Sequence, residues 1–235
     1  MGLVKGFDRT INKQLLLSIP MFEGIGTSTI KDIAKPHHLV SLTHSPAWVL
    51  LSSGVWALNF DGTNDYASIS HALFTDLDFT TGDFSGICWQ YKTTYGGFYF
   101  GNCANPMTWG FYIGGDVTEG LVLKTWSGAS SQSTISAASI VSSSVWYLAG
   151  FSVRDSDPIF PSCRLYLNGI DVTSVLGIYS PRGATGADFA IAKGVGGGGI
   201  GNFTGNLCGI RVWNRRLDPR EHMEIFNRER HLFGV

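Results

Sequence analysis

Leu58-Asn-Phe-Asp-Gly-Thr-Asn-Asp-Tyr-Ala-Ser-Ile69 is the stretch of sequence that decides the fold. It joins an apolar segment to a polar turn, and Asp, Asn and Gly are residues that tight turns favour. Phe203-Thr-Gly-Asn-Leu-Cys-Gly-Ile-Arg-Val-Trp-Asn-Arg-Arg-Leu217 shows the same combination near the end of the chain. Each stretch predicts a β-strand that ends in a polar turn, so an early strand and a late strand frame the fold.

Strand-like alternation continues between these two stretches. In Gly86-Ile-Cys-Trp-Gln-Tyr-Lys-Thr93, Ile87, Trp89 and Tyr91 fall on one face, which is the period of two of a strand. The Asn-Gly pair at 168–169 indicates a tight hairpin. Further strands are predicted at 15–22, 48–51, 98–102, 109–113, 121–126, 145–153, 164–168 and 187–193, whereas 32–44 is predicted to be a loop.

One helix is predicted with a clear start, at the C-terminal end of the chain. Asp218-Pro-Arg-Glu221 combines an acidic N-cap, a proline at the first helical position and a glutamate three residues after the cap. The fold predicted for the chain is therefore an all-β, antiparallel jelly-roll β-sandwich with a short C-terminal α-helix. Residues 1–14 are predicted to form an N-terminal arm, and 15–235 a single domain.

The composition favours a large buried core and argues against several classes of function. Of the 235 residues, 44% are hydrophobic and 15% are charged, and the net charge is −1. Such a chain lacks the basic surface with which proteins hold nucleic acid or acidic membranes. Arginines in 211–230 alternate with Asp218, Glu221, Glu224 and Glu229, which predicts a solvated helix face of mixed charge. Neither a signal peptide nor a membrane-spanning run is recognisable.

Five motifs in the same order resemble the laminin-G-like jelly roll of the concanavalin A-like lectin and glucanase superfamily. Besides the two stretches quoted first, they are Phe22-Glu-Gly-Ile-Gly-Thr27, Trp146-Tyr-Leu-Ala-Gly150 and Leu165-Tyr-Leu-Asn-Gly169. The resemblance covers residues 15–226. It implies two stacked antiparallel sheets, and it extends to stand-alone members among phage structural proteins.

The same resemblance implies a candidate structural calcium ion. Asp32, Asp61 and Asp65 are the oxygen ligands expected for a hard cation. The chain departs from the family at Cys208-Gly209, where many members carry an acid just before the last strand. Turn formation is the alternative role for these aspartates.

Aromatic residues supply the candidates for sugar binding. Trp109, Tyr112 and Trp126 are expected to stack on sugar rings, and Trp109 and Tyr112 lie close to a predicted turn. The alternative is that these rings belong to the core, because each sheet of a sandwich buries one face.

The sequence argues against an enzyme. Glycosidases need two carboxylates beside the scissile bond, and the E-x-D-x-x-E pattern of the related glucanases is missing. A G-x-S-x-G nucleophile turn is missing as well. His37, His38 and His44 are predicted to lie in a surface loop. Reduced core thiols are favoured for the four cysteines, with a Cys88–Cys103 bridge as the alternative.

Three functions follow as expectations, in order of preference. The first is a non-catalytic structural or adhesion protein of a virion surface, either a capsid decoration or a tail-associated protein. Its partners are a major capsid or tail protein, copies of itself, and glycans, and it is made without a signal peptide yet works outside the cell. In this setting the arm at 1–14 and the tail Phe233-Gly-Val235 are contact elements. The second function is a carbohydrate-binding lectin module without an architectural role, and the third is a glycoside hydrolase.

Overall fold

The computed structural model is a β-sandwich of two antiparallel sheets. It describes residues 11–21, 24, 28–103, 109–128, 130–155, 162–177, 185–194 and 201–235. The strands are β1 (Leu15–Ile19), β2 (Thr29–Lys31), β3 (Leu39–Thr43), β4 (Ala47–Leu50), β5 (Trp56–Asp61), β6 (Tyr66–Ile69), β7 (Phe84–Lys92), β8 (Gly97–Cys103), β9 (Trp109–Gly115), β10 (Leu121–Ser127), β11 (Ser130–Ser136), β12 (Trp146–Arg154), β13 (Ser162–Leu167), β14 (Ile170–Asp171), β15 (Thr173–Val175), β16 (Phe189–Ile191) and β17 (Thr204–Trp213). The helix α1 covers Pro219–Glu229, and 3₁₀ turns lie at His71–Leu73 and Arg230–Leu232.

The order of the strands confirms the predicted antiparallel sandwich. One sheet has eight strands in the order β14-β13-β12-β7-β17-β5-β4, and β1 pairs with β17 beside this path. The other has nine strands in the order β15-β11-β10-β9-β8-β16-β6-β3-β2. Asp61 lies opposite Thr204 and Leu58 opposite Leu207, so the two stretches that predicted the fold are neighbours in the first sheet.

A cluster of phenylalanines fills the space between the sheets. The Phe84 ring lies 4.9 Å from that of Phe111 and 5.3 Å from that of Phe151, each nearly perpendicular to it. Phe84 and Phe151 belong to the eight-stranded sheet and Phe111 to the nine-stranded one. Edge-to-face pairs of this kind add about 1 kcal/mol each to the burial of the rings. The sheets therefore share one core.

The C-terminal helix covers the outer face of the eight-stranded sheet. Asp218 accepts a hydrogen bond from the Glu221 N–H and Glu221 caps in return, which confirms the predicted capping box. His222 stacks on Tyr166 with ring centroids 3.8 Å apart. Phe233 stacks on Trp89 at 4.0 Å. Phe233 therefore packs on its own sandwich, whereas Gly234 and Val235 are exposed, and the role of the tail as a contact element stays a prediction.

Several segments differ from the sequence-based prediction, among them the short strands β2 and β15, and two longer ones show why. The predicted loop at 32–44 contains β3, in which Val40 is the buried residue. β11 also escaped prediction, because the sequence Ser130-Ser-Gln-Ser-Thr-Ile-Ser136 carries a single apolar side chain. Both strands form because an apolar neighbour, β6 or β10, offers a free edge to pair with. Strand pairing thus overrode weak local preference.

The first described residues contact the last strand of the eight-stranded sheet, and the four cysteines form no disulfide. Residues 1–10 of the predicted arm lie outside the described residues, and the Trp213 indole N–H donates to the Ile11 carbonyl oxygen at 2.7 Å. The division into an arm and a domain stays a prediction. All four cysteines are free, and Cys103 is the one that is not fully buried. None of the helices formed by described residues has the length and apolar character needed to cross a bilayer.

Candidate functional site

A groove of about 310 Å³ opens on the outer face of the nine-stranded sheet. Its floor comes from β9, β10 and β11, where Tyr112 lies opposite Lys124 and Lys124 opposite Ser133. Its end is closed by the turn between β7 and β8 and by residues 201–202. A Cβ at Gly114 would lie 2.5 Å from the Gly97 carbonyl oxygen, so glycine is required where the floor meets this end.

An aromatic row lies beneath the groove and beside it. The Tyr112 ring centroid is 5.5 Å from that of Phe98 and 5.4 Å from that of Trp126. Tyr112 is 2% exposed and Trp126 5%. Burial also raises the pKa of the Tyr112 hydroxyl. These rings form a small second core, so they present little surface to a ligand.

The three aromatic candidates for sugar binding are thus only partly brought together. Tyr112 and Trp126 are in contact, whereas the half-buried Trp109 begins β9, with its ring near Gly128. Their role in sugar binding stays a prediction. Tyr95 in the β7–β8 turn also lines the groove, and it is 72% exposed. We did not predict it, because strand patterns say nothing about a single ring in a turn.

Polar groups along the groove are held in fixed positions. Asp116 Oδ1 accepts hydrogen bonds from the Thr118 N–H at 2.9 Å, the Thr118 hydroxyl at 2.7 Å and the Gly120 N–H at 2.9 Å. Asn202 Nδ2 donates to the Thr63 carbonyl oxygen at 2.6 Å, and its Oδ1 accepts from the Gly194 N–H at 2.7 Å. Both side chains are therefore set in place before any ligand arrives.

A second pocket, of about 610 Å³, surrounds His38 at one end of the sandwich. Its imidazole donates to Asp32 at 2.7 Å through Nδ1 and to Asp76 at 3.0 Å through Nε2. Burial by itself lowers the pKa of His38, but the hydrogen bonds to the two carboxylates outweigh it and raise the pKa to about 9. Because both ring nitrogens are engaged and protonated at neutral pH, His38 is suited neither to bind a metal nor to act as a base.

Two of the three predicted calcium ligands, Asp32 and Asp61, already accept several hydrogen bonds. The Asp32 carboxylate accepts from the N–H groups of Ser18, Ala34 and His38 and from the His38 ring, at 2.7–3.0 Å. These donors occupy lone pairs that a cation would need, and the protonated His38 ring adds a positive charge beside them, so the arrangement does not favour Asp32 as a calcium ligand. No group of three or more His, Cys, Asp or Glu side chains among the described residues is arranged to hold a metal.

Asp61 and Asp65 lie together in the turn between β5 and β6. Asp61 Oδ1 accepts from the backbone N–H groups of Thr63, Asn64 and Asp65. The hydrogen bond from Thr63 is the main reason that the pKa of Asp61 is lowered. Burial and the neighbouring Asp61 charge raise the pKa of Asp65. The turn-forming role is thus present in the structure, and a cation at this pair stays a prediction.

The comparisons with known proteins agree with this architecture. A family model described as the concanavalin A-like lectin/glucanases superfamily matches residues 61–221. Among curated proteins, none matches the chain.

Solved toxin structures share the fold. A botulinum neurotoxin type C structure, concerned with a dependence of the toxin on two ganglioside molecules, is 14% identical with a TM-score of 0.66, over 94% of this chain and 52% of that one. The binding domain of Paraclostridial Mosquitocidal Protein 1 is 16% identical with a TM-score of 0.66, over 93% and 53%. The botulinum neurotoxin type G receptor-binding domain is 13% identical with a TM-score of 0.65, over 92% and 51%. The chain spans about half the length of these proteins, and identities this low establish the fold alone.

Proposed function

This chain belongs to the concanavalin A-like lectin/glucanases superfamily, and from that premise we propose that it is a non-catalytic adhesion protein that binds a saccharide in the groove of the nine-stranded sheet. The observation that carries the proposal is the open Tyr95 ring beside fixed polar groups, the Asp116 and Asn202 side chains. An exposed aromatic ring supplies an apolar face for a sugar, and oriented polar groups select its hydroxyls.

The absence of catalysis is supported by the charges in the groove. Asp116 is the one carboxylate among its described lining residues. Hydrolysis of a glycosidic bond needs a second carboxylate on the other side of that bond. Asp116 also spends one oxygen on three hydrogen bonds that shape its own turn. A groove with one carboxylate, already engaged in hydrogen bonds, is suited to bind a saccharide and not to hydrolyse it.

A saccharide is also supported by the fold relatives. The botulinum neurotoxin type C structure concerns cell uptake that depends on two ganglioside molecules, and a botulinum neurotoxin DC binding domain is in complex with SialylT. For this chain we propose only that the same fold recognises a saccharide. The glycan itself has to be found by experiment.

The setting that we propose is the surface of a virion, outside the cell. There the protein sits on a major capsid or tail protein, or on copies of itself. Support comes from the resemblance to stand-alone phage structural members. Immunogold labelling of purified particles tests this setting: we expect regular labelling of the particle surface, and purified particles that carry no label would rule it out.

Binding in the groove is tested with Tyr95 variants. We expect a glycan array to identify a ligand for the purified chain, and Tyr95→Ala to weaken its binding about tenfold in calorimetry, since one ring contact contributes about 1 kcal/mol or more. Tyr95→Phe is the matched control, because it keeps the ring and removes only the hydroxyl. Equal affinities of wild type and Tyr95→Ala would place the ligand elsewhere.

A further inference from the structure

The nine strands that carry the groove are unusual in charge. Within their described bounds these strands contain no Asp or Glu, and their charged residues are two lysines, Lys31 and Lys124. The eight-stranded sheet carries both signs, with Asp61 and Asp171 among its strand residues. In a chain with a net charge of −1, one sheet is thus free of strand carboxylates. Among the described residues that line the groove, the charged ones are Lys124 on β10 and Asp116 in the β9–β10 turn.

Two ammonium groups lie on aromatic rings of this face. Lys124 lines the groove and places its Nζ 5.3 Å from the ring centroid of Trp126. Lys193, two residues after the end of β16, places its Nζ 4.2 Å from the ring centroid of Tyr66. Neither lysine forms an ion pair with a described carboxylate. A cation held on a ring keeps its outer side available for an anion.

Three carboxylates near this face lie at strand ends, where two accept hydrogen bonds and the third is buried. Asp116 Oδ1 accepts three hydrogen bonds in the β9–β10 turn. Asp188 Oδ1 accepts from the His71 N–H at 2.9 Å. Asp65 is 8% exposed. These acids support turns and loops, whereas the two ammonium groups are directed to the outer face.

We propose that the saccharide bound by this groove is acidic and extends beyond it, so that Lys124 in the groove and Lys193 outside its lining bind carboxylate or sulfate groups of the same ligand. The inference rests on the proposed saccharide-binding function and adds the class of ligand. In the sheet order, β10 and β16 are three strand spacings apart, roughly 14 Å. One small anion cannot bridge that distance, so the ligand is an extended oligosaccharide or polysaccharide with repeated charges.

A nucleic acid is the less suitable polyanion. Proteins that hold a phosphate backbone neutralise many phosphates with clustered Lys and Arg. Here two lysines lie three strand spacings apart, and the exposed part of the groove offers one ring, Tyr95, rather than a series of stacking platforms. Duplex DNA therefore serves as a test ligand whose binding argues against the proposal.

The experiment compares four polymers on the full chain by calorimetry at low and high salt. They are polygalacturonate, dextran sulfate, neutral dextran and duplex DNA. We expect binding to one or both acidic polysaccharides, weakened at high salt, and the double variant Lys124→Gln/Lys193→Gln to reduce their affinity about a hundredfold, since each charge-assisted contact contributes roughly tenfold. Polygalacturonate and dextran sulfate separate carboxylate from sulfate recognition.

Lys13→Gln is the matched control, because Lys13 is an exposed lysine that precedes β1 of the other sheet. It should leave the affinity unchanged, and unaltered circular dichroism should show that the double variant is folded. If the double variant still binds neutral dextran or a glycan from the array as tightly as wild type does, the proposal of an acidic ligand is wrong. The proposal of saccharide binding would then still stand. No binding to any saccharide would overturn both proposals, and DNA binding as tight as that of the acidic polymers would identify a general polyanion surface instead.

Discussion

At the scale of single residues, the main surprise is a buried ion pair under the C-terminal helix. Glu229 was expected on a solvated face of mixed charge, yet its side chain and that of Arg211 are each 4% exposed. Glu229 Oε2 accepts from Arg211 Nη2 at 2.6 Å and from the Trp89 indole N–H at 2.8 Å. The alternation of charges in the sequence could not reveal this, because Arg211 comes from a strand that the helix covers.

Removing the charge of Glu229 should destabilise the protein strongly. Glu229→Gln leaves Arg211 buried beside a neutral amide, and breaking a buried pair in this way costs about 3–5 kcal/mol. Urea denaturation followed by Trp fluorescence measures the loss. Glu224→Gln is the control: Glu224 pairs with Arg228 on an exposed part of the helix, so less than about 1 kcal/mol is expected. Equal losses for both variants would contradict the buried role.

The His38 bridge predicts a loss of stability at alkaline pH. The pKa of His38 rises from 6.5 in the unfolded chain to about 9 in the fold. The folded state therefore holds the proton more tightly, and the resulting stabilisation is complete below about pH 6.5 and lost as the pH rises through about 9. We expect the melting temperature of wild type to fall more than that of His38→Asn between pH 6.5 and 9.5. Parallel curves would show that protonation of His38 does not stabilise the fold.

At the scale of elements, alternation predicted strands well where one apolar face was enough to define them. β7 and the capping box of α1 were predicted from their own residues. β11 was not, since its pairing partner supplies the apolar side chains. The alternation could not distinguish the core face of β9 from its outer face. Phe111 and Tyr112 are neighbours on opposite faces of this strand, and both are buried.

The close approach of the two sheets makes Gly86 a sensitive position. A Cβ there would lie 2.7 Å from Phe151 and 2.9 Å from Phe100, so the rings must move to admit it. Gly86→Ala should cost about 1–3 kcal/mol, as overpacked cores do. Gly201→Ala is the matched control, since a Cβ at Gly201 meets nothing within 4 Å. Thermal and urea denaturation of both variants measure the difference, and a stable Gly86→Ala protein would mean that the sheets separate easily.

At the scale of the whole molecule, the two outer faces of the sandwich serve different ends. The helix and the tail cover the outer face of the eight-stranded sheet and bury it. The contacts are made by His222, Glu229 and Phe233. The groove lies on the opposite sheet. Sequence patterns predicted the sandwich and the position of the helix, but they could not say which face the helix covers, because that depends on contacts between residues far apart in the chain, such as Trp89 and Glu229.

The separation of these faces predicts that ligand binding and helix docking are independent. The proposed acidic saccharide should stabilise wild type and Glu229→Gln by the same free energy, since mutations and ligands at distant sites without shared partners add to within about 0.5 kcal/mol. Urea denaturation of both proteins, with and without saturating saccharide, gives the four free energies of unfolding that this comparison needs. A ligand effect that differs by more than about 1 kcal/mol between them would show that the shared phenylalanine core couples the groove to the helix. Equal ligand effects would mean that binding in the groove and docking of the helix each stabilise the fold without influencing one another.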